Sequence, residues 1–375
     1  KELIKKEIEV TIITSQNHYQ SINLNFYKHY KKISIDKVNF IFVNEFVTRK
    51  NNLFTKLLKM FSFSFNLFIS FLFKKIKINN PDIVISSSPD LFTAIVGYFY
   101  SKRVNAAHFI EVRDLWPLSQ IIHHNISQKN IFVKFLKKIE LFLYRNSKHI
   151  FSTCHKMNLY LDEHNIKTPF TFVPHVVYNY KLPNNPKKMD SLKKYDLVGV
   201  YAGNIAKYYK IDQIIDYFPT SLKEKIGIII VGSGDDAQRI RDKINNKMDN
   251  FIFSDSLAHD KLSHILLNAD FGIITLPDSN QLYRYGINLL KTNDYMYHKL
   301  PILFCGNPNF TEIKNENLIS CKFNDKFSFQ ETLEMIHSLG DKNLKLFGEK
   351  NARYIKREYN SRKISEIFYK KIIIK

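Results

Sequence analysis

The chain has 375 residues, more than one hydrophobic core usually organises, and 45% apolar with 14% aromatic residues is ample for burial, so two domains are expected. A balance of 56 basic against 35 acidic side chains gives +21, which favours polyanionic partners, although a Lys-rich composition accounts for part of the excess and charge alone chooses among none of them. Three scattered cysteines, Cys154, Cys305 and Cys321, exclude a disulfide framework and a zinc spacing, and a reducing cytoplasm is the simplest compartment.

The sequence opens KELIKKEIEVTIITS, without an initiating Met and already inside a helix that runs into a strand, so it is read as starting short of the natural amino terminus. Short apolar runs then recur between helical stretches: EVTIIT, NFIFVNEF, DIVISSS, AHFIEV, HIFSTC and FTFVP. That is the rhythm of strand, helix, strand. Leu53 to Phe73 is the most apolar stretch, but Lys56 and Lys59 leave an uncharged run too short to span a bilayer. With Lys74, Lys75 and Lys77 behind it, and a second basic amphipathic segment from Ile131 to Arg145 bearing Lys134, Lys137 and Lys138, this half suits either two core helices or a peripheral contact with an anionic membrane.

After Val177, the segment YNYKLPNNPKKMDSLKKYD lacks periodicity and reads as an exposed linker, so the boundary is expected between Tyr178 and Asp196. The pattern restarts with LVGVYAG, GIIIVGSG, NFIFSDS, DFGIITL and PILFCG. Continuous apolar strands of this kind indicate parallel sheets covered on both faces. The expected architecture is α/β: a Rossmann-like domain over residues 1–180 with its first strand missing, a linker at 181–195, a second Rossmann-like domain over 196–352, and a helix at 353–375 packing back on the first. Ligands of such folds lie beyond the carboxyl ends of the strands, so function is sought in strand-to-helix turns.

The segment LYRYGINLLKTNDYMYHKLPILFCG, Leu282 to Gly306, reads as loop, helix, turn and buried strand, with Asn288 as helix N-cap. Lys291 and Asp294 then share one helix face near an amino terminus whose amides attract phosphate. In that position Lys291 offsets diphosphate charge and Asp294 accepts hydrogen bonds from two ribose hydroxyls; the competing reading is an ordinary exposed ion pair.

The stretch GINLLKTNDYMYHKLPILF resembles the nucleotide-sugar motif of family 4 retaining glycosyltransferases, especially their O-antigen and capsule branch. The resemblance extends to VRDLWP at Val112, YAGNIAKYYKIDQII at Tyr201 and IIIVGSGDDAQRI at Ile228, in the same order over most of the chain. It implies two facing Rossmann-like domains of the GT-B type, with Gly203, Asn204, Lys207, Gly232, Gly234, Gly286, Ile287, Lys291 and Asp294 around the donor. It also implies transfer with retention and without an enzymic nucleophile, the leaving diphosphate assisting the acceptor on the same face.

Three positions depart from the family pattern. The first acid of the acidic pair falls on Gly286, the usual Arg of the second domain is Asn204, leaving Lys207 and Lys210 as cations, and His175 stands where the family has Asn. On the acceptor side, Asp114 directly follows the strand AHFIEV, beside Arg113, where it either orients or deprotonates the acceptor hydroxyl or caps the helix behind it.

No Asp-x-Asp occurs, so no divalent metal is expected on the diphosphate, and the pairs His123-His124 and Cys154-His155 lack partners at ligand spacing. No cofactor is expected beyond the nucleotide-diphosphate sugar, UDP-linked in the leading reading, with a lipid-linked or oligosaccharide acceptor in cell-surface polysaccharide synthesis. A non-catalytic relative that stabilises a partner transferase is the alternative that Gly286, Asn204 and the missing strand support. A nucleic-acid partner has only the charge in its favour, with no recognition motif to support it.

Overall fold

The structure is a computed structural model describing residues 2–16, 30–46, 53–177, 192–247, 249–278 and 281–373. The chain divides into two compact units, one formed by Lys1–Val173 with Ile364–Lys375, the other by Pro174–Lys363. Most of the expected linker lies outside the described residues; its last part, residues 192–195, forms a turn that buries Leu192 and Tyr195 instead of exposing them.

In the first unit, β1 (Val10–Ser15), β2 (Tyr30–Ile35) and β3 (Val38–Val43) form one sheet in the order β1-β3-β2. The pair β1 and β3 is parallel, while β2 and β3 form an antiparallel hairpin turned at Asp36 and Lys37, both with positive φ. Helix α1 (Leu53–Leu72) leads to β4 (Ile83–Ser87), α2 (Leu91–Arg103) and β5 (Ala107–Val112). Then come α3 (Leu118–His123), α4 (Ile131–Asn146), β6 (His149–Ser152), α5 (Met157–Glu163) and β7 (Phe170–Phe172). Strands β4 to β7 form a parallel sheet in chain order. Asp90 starts α2 by accepting from the amides of Phe92 and Thr93, and Asn130 does the same for α4.

The second unit carries six parallel strands: β8 (Leu197–Ala202), β9 (Ile226–Val231), β10 (Phe251–Ser254), β11 (Phe271–Thr275), β12 (Ile302–Cys305) and β13 (Ile319–Cys321). Helices α6 (Asp212–Asp216), α7 (Ala237–Lys247), α8 (His259–Leu266) and α9 (Leu290–Tyr297) connect them. The order is β10-β9-β8-β11-β12-β13, which reverses direction between β8 and β11. Every residue of β8, β9 and β11 is buried, as expected for strands covered on both faces.

Helix α10 (Lys326–Glu358) is kinked at Gly340, whose φ of 70° lies outside the helical region. The expected final helix is interrupted after Glu358, and α11 (Ser361–Ile372) follows as a separate element, its Phe368 ring 4.3 Å from Phe151 of β6. Cys305 and Cys321, distant in sequence, are register partners across β12 and β13, both as free thiols.

Candidate functional site

In a doubly wound sheet the ligand crevice opens beyond the carboxyl ends of the two strands where the order reverses. Here these are β8 and β11. They pair only at Phe271 with Gly199 and Gly272 with Val200, and then part. Tyr295 of α9 stands in the gap: its hydroxyl accepts from the Ala202 amide at 2.7 Å and donates to the Ile273 carbonyl at 3.4 Å. Its ring occupies the space over Gly272, where an added Cβ would fall 2.4 Å from the ring. The strands are therefore held apart by one buried side chain that bridges them.

The loop after β8 folds over the loop after β9. The Gly203 amide donates to the Val231 carbonyl and the Ile205 amide to the Ser233 carbonyl, both at 2.9 Å. Gly232, with φ +159°, leaves no room for a side chain, since a Cβ would sit 1.9 Å from the Gly203 carbonyl oxygen. Gly203, with φ +141°, lies against Lys291, whose Cε and Nζ are 3.2 Å from where its Cβ would be. The two glycines thus bring two backbone loops and one cation together at the strand ends, the arrangement that cradles phosphate oxygens.

Lys291 occupies the first turn of α9, whose N-cap, Leu289, has no side chain able to cap it. Its ammonium donates to the Tyr201 hydroxyl at 3.0 Å and lies 4.1 Å from the Tyr201 ring centre and 4.9 Å from that of Tyr209. Burial lowers its pKa to about 7. A desolvated cation beside an uncapped helix start is suited to an anionic ligand that restores its charge. Asp294, three residues on, faces His259 at 3.6 Å. The two side chains therefore have separate partners, and they do not form the exposed ion pair that was the competing reading.

Asn288 corrects another expectation. The helix begins at Leu290, and the Asn288 amide is used elsewhere: its Oδ1 accepts from the His175 amide at 2.7 Å and its Nδ2 donates to Glu312. Asn293 donates to the His175 carbonyl at 2.9 Å, and Tyr359 donates to Glu312 at 3.3 Å. Desolvation pushes the carboxyl of the half-buried Glu312 up to about 7.

Gly286 is buried, with φ +87°, at the end of the 3-10 turn Gln281–Tyr285, and Ile287 pairs with Thr311 in a parallel bridge. No carboxylate stands at Gly286. Asn204 is exposed and donates to the Tyr208 hydroxyl at 3.2 Å, while Lys207 and Lys210 are exposed in the 3-10 turn that follows and at its end. Gly234 packs under the same loop, a Cβ there falling 2.1 Å from the Ile205 carbonyl oxygen.

Arg113 and Asp114 belong to the first unit, directly after β5. Ser88 Oγ accepts from the amides of both and donates to the Asp114 carbonyl at 3.1 Å. Ser119 of α3 donates to the Asp114 carboxylate at 2.7 Å, and burial raises the Asp114 pKa. The loop is thereby fixed and Arg113 is exposed; Asp114 does not cap α3 as expected, because that helix starts from Pro117 with no side-chain cap and the Asp114 carboxylate takes the Ser119 hydroxyl instead.

A groove of about 460 Å³ lined by Asp270, His298, Leu300 and Asp341 lies at the opposite, amino-terminal ends of β11 and β12 and contains none of these residues. Among the described residues no three His, Cys, Asp or Glu side chains gather at metal-binding distance, and no helix is long and apolar enough to cross a membrane.

By sequence, the chain matches no protein-family model and no curated protein. By structure, it is similar to sucrose-phosphate synthase from Thermosynechococcus elongatus, with a TM-score of 0.73 at 13% identity over 99% of this chain and 90% of that one. The catalytic domain of starch synthase IV from Arabidopsis thaliana, bound to ADP and acarbose, gives 0.66 at 10% identity over 100% and 94%. HepE from Anabaena, in complex with UDP-glucose, gives 0.60 at 11% identity over 90% and 86%. The chain has the fold of these GT-B glycosyltransferases.

Proposed function

We propose that the protein is a retaining glycosyltransferase that takes a sugar from a nucleotide-diphosphate donor, UDP-linked, and passes it to a lipid-linked or glycan acceptor in cell-surface polysaccharide synthesis. The observation that carries this reading is the convergence of Lys291, Gly203 and Gly232 where β8 and β11 part. A cation, two backbone loops and a helix start together suit the charge that a diphosphate leaving group would gather. The sugar's anomeric bond to the diphosphate breaks, the acceptor oxygen bonds on the same face, and its proton passes to the departing diphosphate. Similarity in fold to HepE, solved with UDP-glucose, and to starch synthase IV, solved with ADP and acarbose, supports a nucleotide ligand. In this reading the protein works at the cytoplasmic face of a membrane that holds its acceptor, with peripheral contact.

A non-catalytic relative is the second reading, favoured by the absence of a carboxylate at Gly286. Calorimetry with UDP-glucose, followed by a mass-spectrometric screen of nucleotide sugars against lipid acceptors, tests both. Donor binding with no transfer to any acceptor supports the second reading; no binding of any nucleotide sugar overturns the first.

A further inference from the structure

Helix α1 carries apolar residues on two opposite sides, yet it buries only one of them. Phe63, Leu67 and Phe71 pack on Ile41 and Val43 of β3. The other side presents Phe54, Leu58, Phe61, Phe65, Phe68 and Leu72, spaced alternately four and three residues apart. All six are exposed, Phe54 by 67% and Phe61 by 56%. A helix of 20 residues makes this stripe roughly 30 Å long.

The apolar surface does not stop at α1. Phe61 meets Phe92 of α2 edge-on at 6.0 Å, and the exposed Phe99 of α2 touches Tyr98, which in turn meets Phe142 of α4 at 5.1 Å. Helix α4 adds Phe132 and Phe135, both exposed. Exposed aromatic side chains on three helices that pack together, α1 on α2 and α2 on α4, exceed what a chain without a partner usually leaves in water.

Charge decides what covers it. Helices α1, α2 and α4 contain one acidic residue, Glu140, which is fully buried and held by Lys137 and the Tyr160 hydroxyl. Lys102 and Arg103 end α2, Lys134, Lys138 and Arg145 lie along the exposed side of α4, and Lys74 and Lys75 follow α1. Helical periodicity turns Lys56 and Lys59 to the side of α1 away from the stripe, so they are not part of this face. A second copy of the chain would set these cations against each other; a surface of anionic headgroups over acyl chains matches both components.

We infer that the α1–α2–α4 face of the first unit docks on an anionic bilayer, the α1 aromatic stripe entering the acyl boundary while the cations of α2 and α4 meet lipid phosphates. This deepens the proposed membrane-borne acceptor by naming the surface and its mode of attachment. It differs from purely electrostatic binding, because the aromatic side chains supply the anchoring.

The test is co-sedimentation of the full chain with vesicles of phosphatidylcholine alone and of equal parts phosphatidylcholine and phosphatidylglycerol. Wild type is expected to bind only the anionic vesicles. Phe61→Ser combined with Phe65→Ser is expected to weaken binding by about tenfold or more. Lys134→Glu combined with Lys138→Glu is expected to weaken it at least about tenfold in low salt. The single native tryptophan, Trp116, is buried, so a Phe65→Trp variant reports insertion by a blue shift of its emission on adding anionic vesicles. Wild type binding neither vesicle, or the double serine variant binding as wild type does, overturns the inference. So does a dimer without vesicles that Phe65→Ser dissociates, which would assign the face to a second copy. Calorimetry with UDP-glucose on the same variants should give unchanged donor affinity, and loss of donor binding by wild type would sink the proposed reaction without touching this result.

Discussion

Lys291 and Tyr201, 90 positions apart in the chain, form a hydrogen bond of 3.0 Å in which the ammonium also lies over the phenol ring. The cation is therefore stored against an aromatic face, with no carboxylate partner among the described residues, and its pKa falls to about 7 because burial disfavours its charge. The sign follows: the native state holds this proton more weakly than the unfolded chain, so this residue opposes folding below about 7 and the penalty fades as pH rises towards 10.5.

A diphosphate should return the proton to Lys291. Donor binding near pH 8 is expected to take up close to one proton, and affinity to fall by up to about tenfold per pH unit above 7. Calorimetry in buffers of different ionisation enthalpy reads both. Lys291→Met should lose roughly tenfold to a hundredfold in donor affinity while melting no lower than wild type. A loss of stability with unchanged affinity would make Lys291 a packing residue.

Asp294→Ala is expected to abolish tight binding of UDP-glucose with the fold intact. Its carboxylate is half-buried beside His259 on a helix. Circular dichroism together with calorimetry checks this, and unchanged donor affinity would remove Asp294 from the site.

Tyr295→Phe removes the hydroxyl that bridges Ala202 and Ile273. An unsatisfied buried amide costs about 1 to 3 kcal/mol, so the denaturation midpoint should fall with little change in slope. Because the same hydroxyl holds the two strand ends apart, donor affinity should fall with it.

Glu312 gives a pH-dependence of opposite sign. Its carboxyl is raised to about 7, so the native state binds this proton more tightly, and the stabilisation present at low pH is lost as pH rises from about 4.5 through 7. Glu312→Gln should therefore be more stable than wild type at pH 8, by on the order of 1 to 3 kcal/mol, and equal to it near pH 4.5. Urea titrations at the two values are the measurement, and a difference that does not vary with pH would mean the carboxyl is not desolvated.

Transfer activity is expected to survive excess chelator, because the sequence offers no Asp-x-Asp to hold a metal on the diphosphate. Complete loss that added Mg²⁺ or Mn²⁺ reverses would contradict the proposed chemistry.

The parallel strands were legible because burial on both faces writes them as unbroken apolar runs: LVGVYAG became β8 and DFGIITL became β11. Strand β2, YKKISI, was not, since its lysines look like solvent-facing loop and its hairpin turns without glycine at Asp36 and Lys37. Within the candidate site, the sequence singles out Lys291 and Asp294 by their spacing on one short helix, an assignment that the binding measurements above are to test. The Tyr201 contact, the Tyr295 bridge and the use of Asn288 by His175 and Glu312 were not legible, because each joins positions that only the tertiary fold brings together. Asn288 shows the failure most plainly: a residue with a good capping side chain suggests a helix start locally, while a half-buried backbone amide 113 positions away claims it.

The three buried thiols give the protein a built-in chemical clock. Cys154 belongs to the first unit, and Cys305 with Cys321 to two neighbouring strands of the second. A thiol reagent reaches each only when its surroundings open, so the rate of modification at each position, read by peptide mass, reports the opening free energy of that region. One unmodified chain in one experiment thus yields separate stabilities for the two units, and adding UDP-glucose should slow the reaction at Cys305 and Cys321 while leaving the rate at Cys154 as the internal reference.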